Sequence, residues 1–171
     1  MLFRSEMAAA GLPIIPGSPG VVPDEDAARR IAGEIGYPVM IKAAEGGGGR
    51  GMRVVRNSRE LIPLFQTARS ESEASFGSSN VYMEKLIEAP RHIEFQVLGD
   101  RHGHVIHLGE RECSLQRRHQ KVLEESPSPV LDDATRQRIG NQVVAALEKI
   151  GYSGAGTVEF LREESGNLYF I

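Results

Sequence analysis

Residues 43–52 read AAEGGGGRGM, and five of the chain's 19 glycines fall within them. The stretch admits three readings: a slack linker, a dinucleotide fingerprint, or a flap that folds over phosphates. Gly46, Gly48 and Gly51 match G-x-G-x-x-G literally. A dinucleotide fold, however, needs a strand, then the glycines, then a helix whose N-terminus meets the pyrophosphate. Here the apolar YPVMIK (37–42) precedes the loop and MRVVR (52–56), with its β-branched pair, follows it. Both flanks are strand-like. The dinucleotide fold fails on that context. A Walker A loop fails because no Gly-Lys-Ser/Thr closes it, and a protein-kinase flap fails because HRD and DFG are absent. What remains is a strand–glycine loop–strand hairpin. Its backbone N–H groups, unobstructed by side chains, can cradle phosphate oxygens. Lys42 adds a point charge at the strand end, and Arg50 and Arg53 lie in and after the loop. The alternative is an ordinary hairpin tip with solvated basic residues.

The whole-chain properties narrow the class. With 171 residues, 40% hydrophobic and 25% charged, the chain is expected to be globular, as one domain or two small subdomains. The net charge of −3 gives no global attraction to nucleic acid or anionic lipid. The single cysteine, Cys113, excludes an internal disulfide, and no CxxC or Cys/His metal spacing occurs in the sequence, which fits a reducing cytoplasm. No apolar run approaches membrane-spanning length. The sequence opens on barely one turn of possible helix and closes on NLYFI, a strand pattern stopping mid-run, so a fragment of a longer protein is expected.

Along the chain, the Pro- and Gly-rich residues 13–22 read as a linker or turn. Asp24 or Asp26 caps a helix to about Ile35, with Gly36 as the stop. Ser58 is expected to cap a second helix with a Leu61, Leu64, Phe65 and Ala68 stripe. Strands follow at 80–87, 92–99 and 104–113, the last two joined by the hairpin signal GDRHG. Residues 132–150 form an amphipathic helix that Gly151 ends, and 155–161 and 168–171 are two further strands. The order predicts an α+β fold in which antiparallel pairs carry helices.

Three further segments carry chemistry. In YMEKLIEAPRHIEFQVLGD a strand leaves through Glu84 and Lys85, turns at Pro90, and returns through His92 and Glu94. Backbone groups at such an exit can hold an adenine against Ile87 and Met52, with Glu84 or His92 meeting the ribose. The plainer readings are a solvated strand end and a half-buried histidine. In GERECSLQRRHQKVLEESPSP, Gln116, Arg117, Arg118, His119 and Lys121 crowd together. No aromatics interleave, so small anions such as bicarbonate or a phosphate in transfer suit the cluster better than RNA. A charged loop without a ligand is the alternative. In AGTVEFL, Glu159 is a strand carboxylate of the kind magnesium requires, a hard oxygen with phosphates supplying other ligands. An ordinary outward-facing glutamate is the default.

Taken jointly, YPVMIKAAEGGGGRGMRVV, YMEKLIEAPRHIEFQVLGD, GERECSLQRRHQKVLEESPSP and GAGTVEFL resemble the ATP-grasp enzymes, and more narrowly the biotin carboxylase component of biotin-dependent carboxylases. The likeness covers nearly the whole chain, and the QRRHQKVLEESPSP block is its most specific part. It implies an α+β ATP-grasp fragment. Residues 1–22 would be a helix remnant and linker. Residues 23–87 would be the glycine-loop lid subdomain, an antiparallel sheet plus two helices. Residues 88–171 would be the N-terminal half of a larger, mostly antiparallel catalytic sheet with a long helix.

The resemblance also implies roles. Lys42 with Gly46, Gly47, Gly48, Gly49, Arg50 and Gly51 would contact ATP phosphates. Glu84, Lys85 and Ile87 would frame the adenine, Met52 and Leu161 would pack on it, and His92 and Gln116 would lie near the ribose. His119 would sit by the phosphates and Lys121 would help hold bicarbonate, with Arg118 in the same catalytic group. Glu159 would ligate Mg2+, with Mn2+ as the alternative ion. The implied reaction activates bicarbonate with ATP to carboxyphosphate and carboxylates biotin, the carried substrate, on its carrier domain. A carboxyltransferase component and a homo-oligomeric parent are the implied partners. A solvent-excluding lid makes sense there, since carboxyphosphate is labile in water.

The family pattern continues with Glu-x-Asn-x-Arg and Gln-Val-Glu-His, which supply further magnesium ligands, an arginine facing biotin and bicarbonate, and a general base. These motifs, and a phosphate-contacting lysine of the N-terminal domain, are absent from the sequence. Carboxylation by this chain alone is therefore not expected. The rivals are another ATP-grasp ligase of the carboxylate-amine or carbamoyl-phosphate type, a non-catalytic nucleotide-binding module, and an RNA-binding module using the basic cluster.

Overall fold

The computed structural model of the protein describes residues 2–46, 51–118 and 120–171. The chain divides into two compact units: Ile15–Leu86, and Leu2–Ile14 together with Ile87–Ile171. Helix α1 (Leu2–Ala9) opens the chain and belongs to the second unit. It is longer than the single turn expected, and Met7 on it is fully buried.

The first unit holds α2 (Glu25–Ile35), β1 (Val39–Ala43), β2 (Met52–Val55), α3 (Ser58–Phe76) and β3 (Val81–Lys85). Asp24 caps α2 by accepting the Ala27 N–H at 2.8 Å, Glu25 and Asp26 favour its positive end, and Gly36 terminates it at φ 77°. The cap of α3 is Asn57 rather than Ser58. The Asn57 side chain accepts the N–H groups of Arg59 and Glu60, leaving Ser58 as the first helical residue. Leu61, Phe65 and Ala68 are buried as expected, while Leu64 is only partly so.

The strands form one antiparallel sheet in the order β2-β1-β3. Lys42 is the register partner of Met52, so β1 and β2 pair antiparallel on either side of the glycine run, with the Ala43 N–H donating to the Gly51 carbonyl at 3.0 Å. Gly51 has φ +70°, and a Cβ there would stand 2.9 Å from that of Ala43. Both facts demand glycine. Gly47, Gly48, Gly49 and Arg50 lie outside the described residues.

The supposed linker is more than a linker. Ile15, Ser18 and Val22 are buried, and the strap they form borders β3. Ser18 and Val22 donate their N–H groups to Met83 and Val81, and Gly17 bridges to Glu84. A Cβ on Gly17 would come within 2.6 Å of the Met83 carbonyl oxygen, so only glycine permits this approach. Pro13 and Pro16 withhold donors, so the strap is not a continuous strand.

The second unit contains β4 (Arg91–Gly99), β5 (Val105–Arg117), β6 (Gln120–Glu125), α4 (Asp133–Lys149), β7 (Gly154–Arg162) and β8 (Leu168–Phe170) besides α1. Its antiparallel sheet runs β6-β5-β4-β7-β8. The GDRHG turn joins β4 and β5, with the Asp100 N–H donating to the His104 carbonyl. One face of the sheet packs Ile93, Phe95, Val158 and Phe160 against Ile139, Val143, Ala146 and Leu147 of α4. Phe95, Phe160 and Phe170 meet edge to face at 5.9 and 6.2 Å. Strand β6 is an addition to the sequence expectation. All six of its residues are exposed, so it carries no burial period to detect. The α+β expectation, with antiparallel sheets carrying helices, holds in both units. Among the described residues no helix is long and apolar enough to cross a membrane.

Candidate functional site

Each unit carries one charged cluster built on adjacent strands. In the first, Glu84 on β3 is opposite Met40 and Lys42 is opposite Tyr82, so Lys42 and Glu84 are diagonal neighbours. Their side chains form an ion pair, and Glu84 is nearly buried. Lys85 points elsewhere: its Nζ donates to the Gly36 and Tyr37 carbonyls at 3.0 and 2.9 Å, at the C-terminal end of α2. Its ammonium thus serves the carbonyls of the cap residue and of the residue after it, where the chain leaves α2. The Gly46 N–H donates to the Ala43 carbonyl at 3.2 Å, and Met52 is half-buried opposite Lys42.

In the second unit the cluster lies on the sheet face opposite α4. Glu94 on β4 and Glu159 on β7 are register partners, and His92 lies two residues before Glu94 on the same face, opposite Leu161. Glu94 has no solvent exposure. Lys121, on β6, donates from Nζ to both Glu94 and Glu159. His92 Nε2 is 3.5 Å from Glu159 Oε2. Arg111, the register partner of Glu94 on β5, pairs with Glu94 and, at 2.6 Å, with Glu124. Gln116 is the cross-strand partner of Lys121, and its amide donates to the Cys113 carbonyl at 3.0 Å. Arg118 takes φ +54° in the β5–β6 turn, Ile87 is buried, and Leu161 is half-buried. His119 lies outside the described residues.

The electrostatics follow from this packing. Burial pushes the Glu94 carboxyl up, but the hydrogen bond and charge of Lys121 and the charge of Arg111 outweigh it and hold the group below its ordinary value. Burial pulls Lys121 down, and its bonds to Glu159 and Glu94 more than compensate, so the ammonium is held above its ordinary value. Burial, followed by the charge of Glu94, pushes the Cys113 thiol up to about 12. Cys113 is therefore an inert thiol at neutral pH.

The structure joins Lys121, His92 and Glu159, which the sequence had assigned to three different tasks. Glu94, at their centre, had been given no role. The alternation of apolar Ile93, Phe95 and Val97 does place His92 and Glu94 on one face. The register that sets Glu94 opposite Glu159 has no local signature. One ligand atom each from His92, Glu94 and Glu159 lies within 4.8 Å of the others. Two hard carboxylate oxygens and an imidazole suit a divalent ion such as Mg2+ or Mn2+.

A glycine hairpin on one antiparallel sheet, followed by a second antiparallel sheet bearing carboxylates and a lysine on its open face, defines a domain of the ATP-grasp class. The chain belongs to the family described as "Carbamoyl-phosphate synthase L chain, ATP binding domain", which it matches over residues 1–171. It is 55% identical over 168 residues to a biotin carboxylase of Nostoc sp., covering 98% of this chain and 38% of that protein. It is 54% identical to the 2-oxoglutarate carboxylase small subunit of Hydrogenobacter thermophilus, covering 98% and 36% respectively. Two solved structures superpose with a TM-score of 0.92 at 53% identity over 99% of this chain. One is a Campylobacter jejuni biotin carboxylase–β-γ-ATP complex, of which 38% is covered. The other is the biotin carboxylase domain dimer of H. thermophilus 2-oxoglutarate carboxylase with MgADP, ADP and bicarbonate, of which 37% is covered. The chain therefore spans well under half the length of these relatives.

Proposed function

We propose that the chain is the ATP-binding portion of a biotin carboxylase, working with Mg-ATP and bicarbonate to carboxylate biotin on a carrier domain. The observation that carries this reading is the convergence of His92, Glu94, Glu159 and Lys121 on one sheet face. It gives the chain acidic groups for a divalent ion and a cation for an anionic substrate within one cluster. High identity to biotin carboxylases over nearly the whole chain supports the same assignment.

The residues divide by task. Lys42 and the hairpin, with Gly46 and Gly51 at its described ends and Gly47, Gly48, Gly49 and Arg50 within it, take the phosphates. Gly51 allows the close approach to Ala43 at the end of β1. Adenine recognition falls to the backbone at Glu84, Lys85 and Ile87, with Met52 and Leu161 as apolar surface. The Lys85 ammonium is already engaged by the end of α2, so its share is through the main chain. Gln116 serves the ribose. His92 lies against Glu159, which fits a place beside the metal better than beside the sugar. Glu159, with Glu94 and His92, would hold Mg2+ or Mn2+. When bound, that ion neutralises phosphate charge. Lys121, Arg118 and His119 offset the repulsion between bicarbonate and the phosphoryl group it attacks. The biotin carrier domain, a carboxyltransferase component and self-association complete the proposed setting. The dimeric 2-oxoglutarate carboxylase domain supports the last of these.

Calorimetric titration with Mg-ATP tests the assignment. Saturable binding is expected, abolished by Lys42→Ala and made magnesium-insensitive by Glu159→Ala. Binding that both substitutions leave unchanged would overturn it.

A further inference from the structure

We propose that Lys121 is a removable stand-in for the divalent ion: its ammonium holds the Glu94–Glu159 pair together and is released to the anionic co-substrate when a metal takes those oxygens. This rests on the metal assignment made above.

Two carboxylates placed as register partners repel one another unless a cation lies between them. Lys121 supplies that cation. Each carboxylate oxygen has a nitrogen beside it, but only the two Lys121 contacts are hydrogen bonds; Glu94 Oε1 and His92 Nε2 make none. Glu94 Oε1 meets Arg111, Glu94 Oε2 and Glu159 Oε1 meet Lys121, and Glu159 Oε2 meets His92. An incoming ion gains both carboxylates only if one of these partners withdraws.

Lys121 is the partner built to withdraw. It stands on β6, the edge strand whose residues are all exposed, and swings on a flexible four-carbon stem. Glu94 and Glu159 are fixed on the interior strands β4 and β7. Arg111 is tied on its far side by Glu124. A doubly charged ion then balances the two carboxylates by itself, so the Lys121 charge is no longer compensated. A compact, uncompensated ammonium beside the site is what bicarbonate or another small oxyanion requires. By linkage, the anion and the metal each strengthen the other's binding.

The test combines Mn2+ titration, read by the electron paramagnetic resonance of free ion, with pulse acetylation of lysines by acetic anhydride, read by mass spectrometry, on the full chain. At saturating Mn2+, Lys121 acetylation is expected to rise by at least about tenfold, with the loss of its hydrogen bonds to Glu94 and Glu159. Lys121→Met is expected to bind Mn2+ about tenfold tighter for the same reason. Glu94→Gln, which keeps the side-chain shape, should raise Lys121 acetylation without metal and keeps the test usable if Lys121→Met does not fold. Mn2+ binding that Glu159→Ala abolishes but that leaves Lys121 acetylation unchanged or lower would overturn the stand-in alone. No Mn2+ binding by either the parent chain or Lys121→Met would overturn the metal assignment, and the stand-in with it.

Discussion

Glu94 and Glu159 face one another across β4 and β7, and the ammonium of Lys121, from the edge strand β6, bonds to both. Glu94 is the buried member, and Arg111 holds it from the other side. Glu94→Ala would take one partner from each of two cations, but Lys121 keeps Glu159, Arg111 keeps Glu124, and both are only part-buried. The expected loss is therefore about 2–3 kcal/mol, towards the lower end for a broken buried pair. Glu94→Gln should cost roughly half as much, since the amide retains a hydrogen-bond acceptor. Urea unfolding monitored by circular dichroism reads both. An unchanged midpoint in Glu94→Ala would show that the pair carries no stability.

Gly140 in α4 is the point where the helix meets β5. A Cβ there would stand 2.5 to 2.8 Å from three atoms of the His107 ring. In an open helix, Gly→Ala stabilises by about 1 kcal/mol. The His107 ring packs edge-on against Phe95 and accepts the Gly109 N–H at 3.3 Å, so turning it aside loses those contacts, and overpacking of about 1–3 kcal/mol should decide the sign. Gly140→Ala is expected to lower the melting temperature. Adding His107→Ala should recover much of the loss, a coupling that a double-mutant cycle measures directly. Additive effects would refute the contact.

The parts of the fold that could be read from sequence are those with a local chemical cause. Asp24, one of the two caps its spacing allowed, caps α2, and Gly36 and Gly151 stop their helices; Asp132, read as the first residue of α4, is its cap. The strand-like flanks of the glycine run were enough to separate a hairpin from a dinucleotide loop. Illegible features depended on partners distant in sequence. Residues 15–22 looked like a linker because prolines break their pattern, yet Ser18 and Val22 bond to β3. Strand β6 buries none of its residues, so hydrophobic period could not reveal it. Glu94 was missed because its importance comes from register with Glu159 and Arg111, and register is a tertiary property. The Lys85 ammonium contact to Gly36 and Tyr37, far away in sequence, likewise had no local signature.

That last contact predicts a separation of stability from binding. Lys85→Met keeps the apolar stem but removes two charge-assisted bonds to helix-end carbonyls. A loss of about 1–2 kcal/mol is expected. In a chain of this size that lowers the melting temperature by roughly 2–8 °C. Mg-ATP affinity should fall much less than in Lys42→Ala. The reverse pattern, an intact melt with lost nucleotide binding, would return the Lys85 ammonium to the nucleotide.

Acid stability should depend on a second buried pair, Glu110 and Arg136. Glu110 on β5 is 1% exposed, accepts Arg136 Nε at 2.9 and 2.7 Å and takes the Ser128 N–H at 3.0 Å. Burial pushes its carboxyl up, but the Arg136 hydrogen bonds, the Ser128 N–H and the Arg136 charge outweigh it and hold the folded group below its ordinary value. A depressed carboxyl favours the folded state above its unfolded value and loses that contribution as pH falls through the folded one. Arg136 stays charged throughout this range. Glu110→Gln should therefore be less stable than the parent by about 3 kcal/mol at neutral pH. That difference should narrow as pH falls from about 5 through the depressed folded value, as the parent loses what the variant never had. Urea midpoints of the two proteins across this window check it. A constant difference would mean that Glu110 titrates alike in the folded and unfolded chains.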